Sequence, residues 1–138
     1  MKHTLAVNGM ELLNMRVPLR VISKKNSKAR NRFTGAPFLG REARALQSAL
    51  QTSAMKYRVE AVPYGGTVAV EIIAHFKNGT HCDTGNVSEV VLDSLQGAVI
   101  RNDKQVGPLL VVPCECGEDA VTVRVRTTEP QRGPCVEA

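Results

Sequence analysis

The chain has 138 residues, of which 43% are hydrophobic and 22% charged, and a formal net charge of +5. One domain with a buried core fits that length. No apolar run approaches the roughly 20 residues of a membrane span. The opening stretch MKHTLAVNGMELLN lacks the apolar segment of a secretory signal, so a cytoplasmic protein without membrane contact is expected.

The charge is unevenly placed. From Arg16 to Arg58 stand eleven Lys or Arg against one acid, Glu42, a local +10 that leaves −5 for the rest. A basic first half suits a polyanion and an acidic remainder suits a cation.

In chain order, MRVPLRVI (15–22) alternates basic and apolar residues and reads as a strand, with Pro18 arguing for an edge or an initial position. Residues 23–40 (SKKNSKARNRFTGAPFLG) carry Ser, Asn, Gly, Pro and five basic residues with no acid, and read as a long loop. REARALQSALQTSAMKYR (41–58) has a helical apolar period through Ala43, Leu46, Ala49 or Leu50, Ala54 and Tyr57. TVAVEIIAHF (67–76) is a β-branched central strand with Val68, Val70, Ile72, Ala74 and Phe76 on one face and Glu71 and His75 on the other. NVSEVVLDSL (86–95) is a helix with a stripe of Val87, Val90, Val91 and Leu95. Its cap is Asn86, with Glu89 as capping-box partner, and Gly97 stops it.

Residues 98–100 form a short buried run and RNDKQV a polar turn; PLLVVP (108–113) and AVTVRVRT (120–127) are further strands, the latter with Val121, Val123 and Val125 inward. Residues 1–14 and 127–138 read as peripheral termini. The order gives an α+β fold, a single domain over 1–138 with one mixed sheet and two main helices packed on one face.

The four cysteines read as free thiols. Cys114 and Cys116 make one C-x-C pair, but Cys82 and Cys135 are single and distant, so the pair reads as two thiols in a half-buried loop rather than a zinc site. His75 reads as strand surface and His81 as a solvated loop residue with a weaker alternative as base or ligand.

Two stretches carry a wider likeness: PLRVISKKNSKARNR after the first strand, and DTGNVSEVVLDSLQGAVIRNDKQV from Asp83 to Val106. Together they resemble the RusA-type Holliday-junction resolvases, small phage and prophage endonucleases. That family has a basic K-N loop, an Asp-x-Asp-Asn motif with a Lys three residues on, a helix into D-x-L-x-G, and Asp-Asp-x-Gln. The resemblance implies a magnesium- or manganese-dependent endodeoxyribonuclease acting on branched DNA in recombination and repair, working as a homodimer in a bacterial host cell.

Asp83 and Asp103 match the first and last metal-holding aspartates. Gly85 stands where the second belongs, Glu89 where the lysine belongs, and Asn102 where the first of the final Asp-Asp pair belongs; Asn86 matches the motif's asparagine. Glu89 lies four residues after Gly85, about 6 Å along a helix, and helical side chains lean toward the N-terminus. A migrated carboxylate follows as an expectation: Asp83, Glu89 and Asp103 share the cation, with Asn86, Asp93 and Asn102 supporting. The other reading makes Glu89 only the cap partner and the metal site dead, the fold being kept to bind branched or duplex DNA without cutting. Lys24, Lys25, Asn26, Lys28, Arg30 and Arg32 are the expected DNA contacts. With 4% aromatics and no Trp, the chain favours shape and backbone recognition over base stacking. A third reading has the basic loop binding RNA or a protein.

Overall fold

In the computed structural model, residues 9–20, 28–30, 37–39, 41–77 and 84–128 are described, without the side chains of 28–30, 37–39, 41–43 and 84–86. Six strands and two helices follow one another: β1 (Glu11–Val17), β2 (Lys28–Arg30), β3 (Pro37–Leu39), α1 (Arg41–Tyr57), β4 (Val68–Phe76), α2 (Thr84–Leu95), β5 (Val106–Glu115) and β6 (Ala120–Thr127). The main sheet has the order β1-β6-β4-β5, and β2 and β3 form a separate antiparallel pair. β4 pairs parallel with β5 and antiparallel with β6, which pairs antiparallel with β1. This is the expected α+β architecture with a mixed sheet. No helix among the described residues is long and apolar enough to cross a membrane.

Strand alternation builds the core. Leu13, Met15 and Val17 of β1, Val68, Val70, Ile72 and Ala74 of β4, and Val121, Val123 and Val125 of β6 are all buried. Onto them come Leu46, Leu50 and Ala54 of α1 and Val87, Val90, Val91 and Leu95 of α2. Each stripe recurs every three or four residues, which is why the two helices share one face of the sheet. Tyr57, expected on the α1 stripe, is about half exposed at the helix end, and Lys56 lies over its ring.

The opposite face of β4 holds a charge ladder. Glu71 is buried, with Arg126 at 3.7 Å and Arg124 at 4.0 Å, and Arg124 also reaches Glu11 at 3.3 Å. A buried carboxylate flanked by two guanidinium groups keeps its charge compensated.

Several expectations move. The first strand starts at Glu11 and stops before Pro18, so residues 11–14 belong to the sheet rather than to a peripheral terminus. A bulge between Glu11 and Leu13 lets the adjacent Leu12 and Leu13 both be buried, which hides the alternation there. Within the expected 23–40 loop, β2 and β3 pair as Lys28↔Leu39 and Arg30↔Pro37. The fifth strand runs two residues further at each end than its apolar run. α2 begins at Thr84, so Asn86 is its third residue and not its cap, and the Asn86–Glu89 capping box falls away.

Leu50 is fully buried between α1 and the sheet. Leu50→Ala is expected to cost about 2–5 kcal/mol, read as a lowered midpoint with unchanged slope in denaturant unfolding.

Candidate functional site

The turn that carries Asp103 is built from the end of α2. Gly97 takes φ +85°, a conformation that favours glycine, and the Leu95 carbonyl accepts from the N–H groups of Ala98 (3.1 Å), Val99 (2.9 Å) and Ile100 (3.2 Å). The Ala98–Ile100 run is thereby buried as a plug, and residues 101–106 emerge on the surface.

Asp103 opens a short 3-10 turn, Asp103–Gln105, and its carboxylate is exposed. Two neighbours fix that turn. Asn102 caps it, its Oδ1 accepting from the Lys104 N–H at 2.9 Å. The Gln105 side chain makes four hydrogen bonds. Its Oε1 accepts from the N–H groups of Arg101 (2.6 Å) and Asn102 (3.0 Å), and its Nε2 donates to the carbonyls of Tyr64 (2.7 Å) and Gly66 (2.7 Å). The last residue of the D-x-Q run therefore latches the Asp103 turn to the segment leading into β4. Asn caps as well as Asp does, so Asn102 keeps this part of the motif's geometry.

The other acidic candidates lie on or before α2. Glu89 is exposed and sits six residues, about 9 Å along the axis, before the helix end. Asp93 is half-buried, and its Oδ1 accepts from Gln96 Nε2 at 3.3 Å. Asn86 lies in the first helical turn. Asp83, with His81 and Cys82, lies outside the described residues. Among those described, Glu89, Asp93 and Asp103 do not by themselves make a group of three metal ligands.

Of the basic candidates, Lys28 and Arg30 lie on β2, while Lys24, Lys25, Asn26 and Arg32 lie outside the described residues.

At the far end of β5 is an arrangement that spacing alone did not reveal. Cys114 and Cys116 belong to the strand end and the turn after it, not to a free loop, and they meet His75 of β4. His75 is half-buried rather than plain surface. Burial, and then the Arg16 cation, lower its pKa below the usual imidazole value, with Glu118 opposing. The signal that finds the group is pairing register, His75 opposite Cys114, which a sequence read strand by strand does not supply.

Gln105→Ala is expected to lower stability by about 2 kcal/mol and to speed amide exchange at residues 101–106. Unchanged exchange there would separate Gln105 from the Asp103 turn. The endodeoxyribonuclease RusA family model matches residues 18–126, from just after β1 to the penultimate residue of β6. No curated protein matches the chain. The matched span is well over half the chain and includes both the basic stretch and the Asp103 turn: the chain belongs to the RusA endodeoxyribonuclease family.

Proposed function

We propose that the protein is a metal-dependent, structure-selective endodeoxyribonuclease that cleaves branched DNA, Holliday junctions among them. The observation that carries this reading is the exposed Asp103 carboxylate on a turn held by Asn102 and Gln105, within a chain of this family. Carboxylate oxygens are the donors that hard Mg²⁺ or Mn²⁺ takes. Asp83, Glu89 and Asp103 would hold the ion. When bound, it supplies charge stabilisation at the scissile phosphate and an activated water.

The protein's own contribution is charge and position. With Asp83, Glu89 and Asp103 the site carries −3, whereas the family pattern of three aspartates and a lysine carries −2. Cation affinity is thus retained at Gly85's expense, but the positive charge that a lysine would offer the phosphate is lost. Lys24, Lys25, Lys28, Arg30 and Arg32 would neutralise phosphates along the DNA backbone, with Asn26 beside them. A four-way junction has two-fold symmetry, so paired cuts call for a homodimer.

Gly85 and Glu89 also favour a second reading, a module that binds junctions without cutting. A synthetic four-way junction with Mg²⁺ or Mn²⁺ decides between the two. Cleavage that falls at least about 100-fold in Asp83→Asn, Asp103→Asn and Glu89→Gln supports the nuclease and the migrated carboxylate. Tight binding with no nicking, indifferent to Asp83→Asn, supports the module. If the five cations each neutralise one phosphate, log affinity falls with log salt at a slope of about −4.5 per chain, roughly 500-fold from 50 to 200 mM. Flat binding over that range would remove the basic stretch from the interface. Effective competition by unbranched RNA would point to an RNA ligand.

A further inference from the structure

We propose that His75, Cys114 and Cys116 form a three-ligand zinc site at the end of the sheet remote from Asp103, with the fourth coordination position open to solvent. Their ligand atoms lie within 4.8 Å of one another, and among the described residues this is the group of three that could hold a metal ion. The Cys116 sulfur is 3.4 Å from His75 Nδ1. Zn–S bonds of about 2.3 Å and Zn–N bonds of about 2.0–2.1 Å at the tetrahedral angle set the sulfur and nitrogen roughly 3.6 Å apart, and two sulfurs roughly 3.8 Å. The Cys116–His75 separation is therefore close to one edge of a zinc tetrahedron, and the remaining donor pairs lie within 4.8 Å.

The backbone holds them there. β5 and β6 lie on opposite sides of β4, so residues 116–119 must step across the end of β4. Gly117 turns the chain with φ +81°, Cys116 N–H donates to the Phe76 carbonyl at 3.2 Å, and Lys77 N–H donates to Asp119 Oδ1 at 3.1 Å. The imidazole is oriented by its far nitrogen, Nε2 lying 3.0 Å from the Thr122 hydroxyl. With Nε2–H donating to Thr122, the Nδ1 lone pair faces the thiols, the arrangement by which a second partner orients a metal-ligating histidine.

The donor chemistry selects the ion. Two thiolates and an imidazole take Zn²⁺ and reject Mg²⁺, whereas carboxylates take the harder ion. Burial first, and then the neighbouring Cys116, push the Cys114 thiol up. A divalent cation offsets this, because its charge cancels two thiolates. Cys116 is exposed, and Glu118, paired with Arg16, borders the opening, so the fourth position is accessible to water or a small ligand.

The test uses reduced, chelator-treated full-length protein, reconstituted with Co²⁺ as an optical probe and then with Zn²⁺. One thiolate-bound cobalt per chain is expected, with thiolate-to-cobalt charge-transfer absorption that Zn²⁺ displaces and excess Mg²⁺ does not. Cys116→Ser, at an exposed position that leaves folding intact, and His75→Asn should each weaken binding at least about 100-fold, and Thr122→Val by roughly 10–100-fold. The Cys82→Ser/Cys135→Ser double variant should keep the full signal. No charge-transfer band in fully reduced protein, a band that survives Cys116→Ser, or a band that needs Cys82 or Cys135 would overturn the site. A Cys114–Cys116 disulfide that persists under reductant would do the same.

Discussion

Strand β4 is the constraint on which everything else rests. It is hydrogen-bonded on both sides, parallel to β5 and antiparallel to β6. Parallel neighbours cannot be joined by a tight turn, so the chain leaving β4 must return to its starting end before β5 can begin. α2 makes that return, and the Asp103 turn lies where it finishes. β5 and β6, by contrast, are joined by four residues that straddle the other end of β4. One buried strand thus creates two connection zones, and each gathers polar side chains that the apolar core cannot hold. The two zones are separated by the length of β5, roughly 30 Å.

Their chemistry differs as their connections do. At the Asp103 end the groups are oxygen donors on exposed turns, fixed by neutral amides: Asn102 as cap and Gln105 as latch. At the Cys116 end the donors are sulfur and imidazole nitrogen, brought together by register between paired strands. On the two proposals, hard and soft cations would be sorted by donor type and would not compete. The charge ladder of Glu11, Arg124, Glu71 and Arg126 lies on the sheet face between the two zones and compensates the buried Glu71 carboxylate.

Local pattern made much of the fold legible. The alternation in residues 120–127 and the helical period in 41–58 each had one solution, and both elements appear within a residue or so of their expected bounds. Elements whose signal depends on tertiary context shifted. The Leu12–Leu13 bulge broke the period at the first strand, so the pattern was legible only from Met15 onward. The added ends of β5 include Gly107, Cys114 and Glu115, which carry no strand signal of their own, and Val106, Cys114 and Glu115 are paired with β4. Along the candidate site, the D-x-Q spacing was readable, but the four bonds of Gln105 were not, because Tyr64 and Gly66 are about forty positions away. The His75–Cys114–Cys116 group was invisible for the same reason: C-x-C lacks a second nearby pair, and its third ligand comes from another strand.

The start of α2 alters the standing of Glu89. A capping-box acid belongs at the third helical position, where it reaches back to an unpaired N–H group. With the helix running from Thr84, Glu89 is its sixth residue, beyond the first turn's unpaired donors. The structural explanation that would have made this acid a mere helix-starter is therefore removed. Glu89 is an exposed residue one helical turn after Gly85, and its side chain is longer than an aspartate's by one methylene. On the proposed reading, Glu89 would supply its carboxylate from one turn further along the same helix than Gly85.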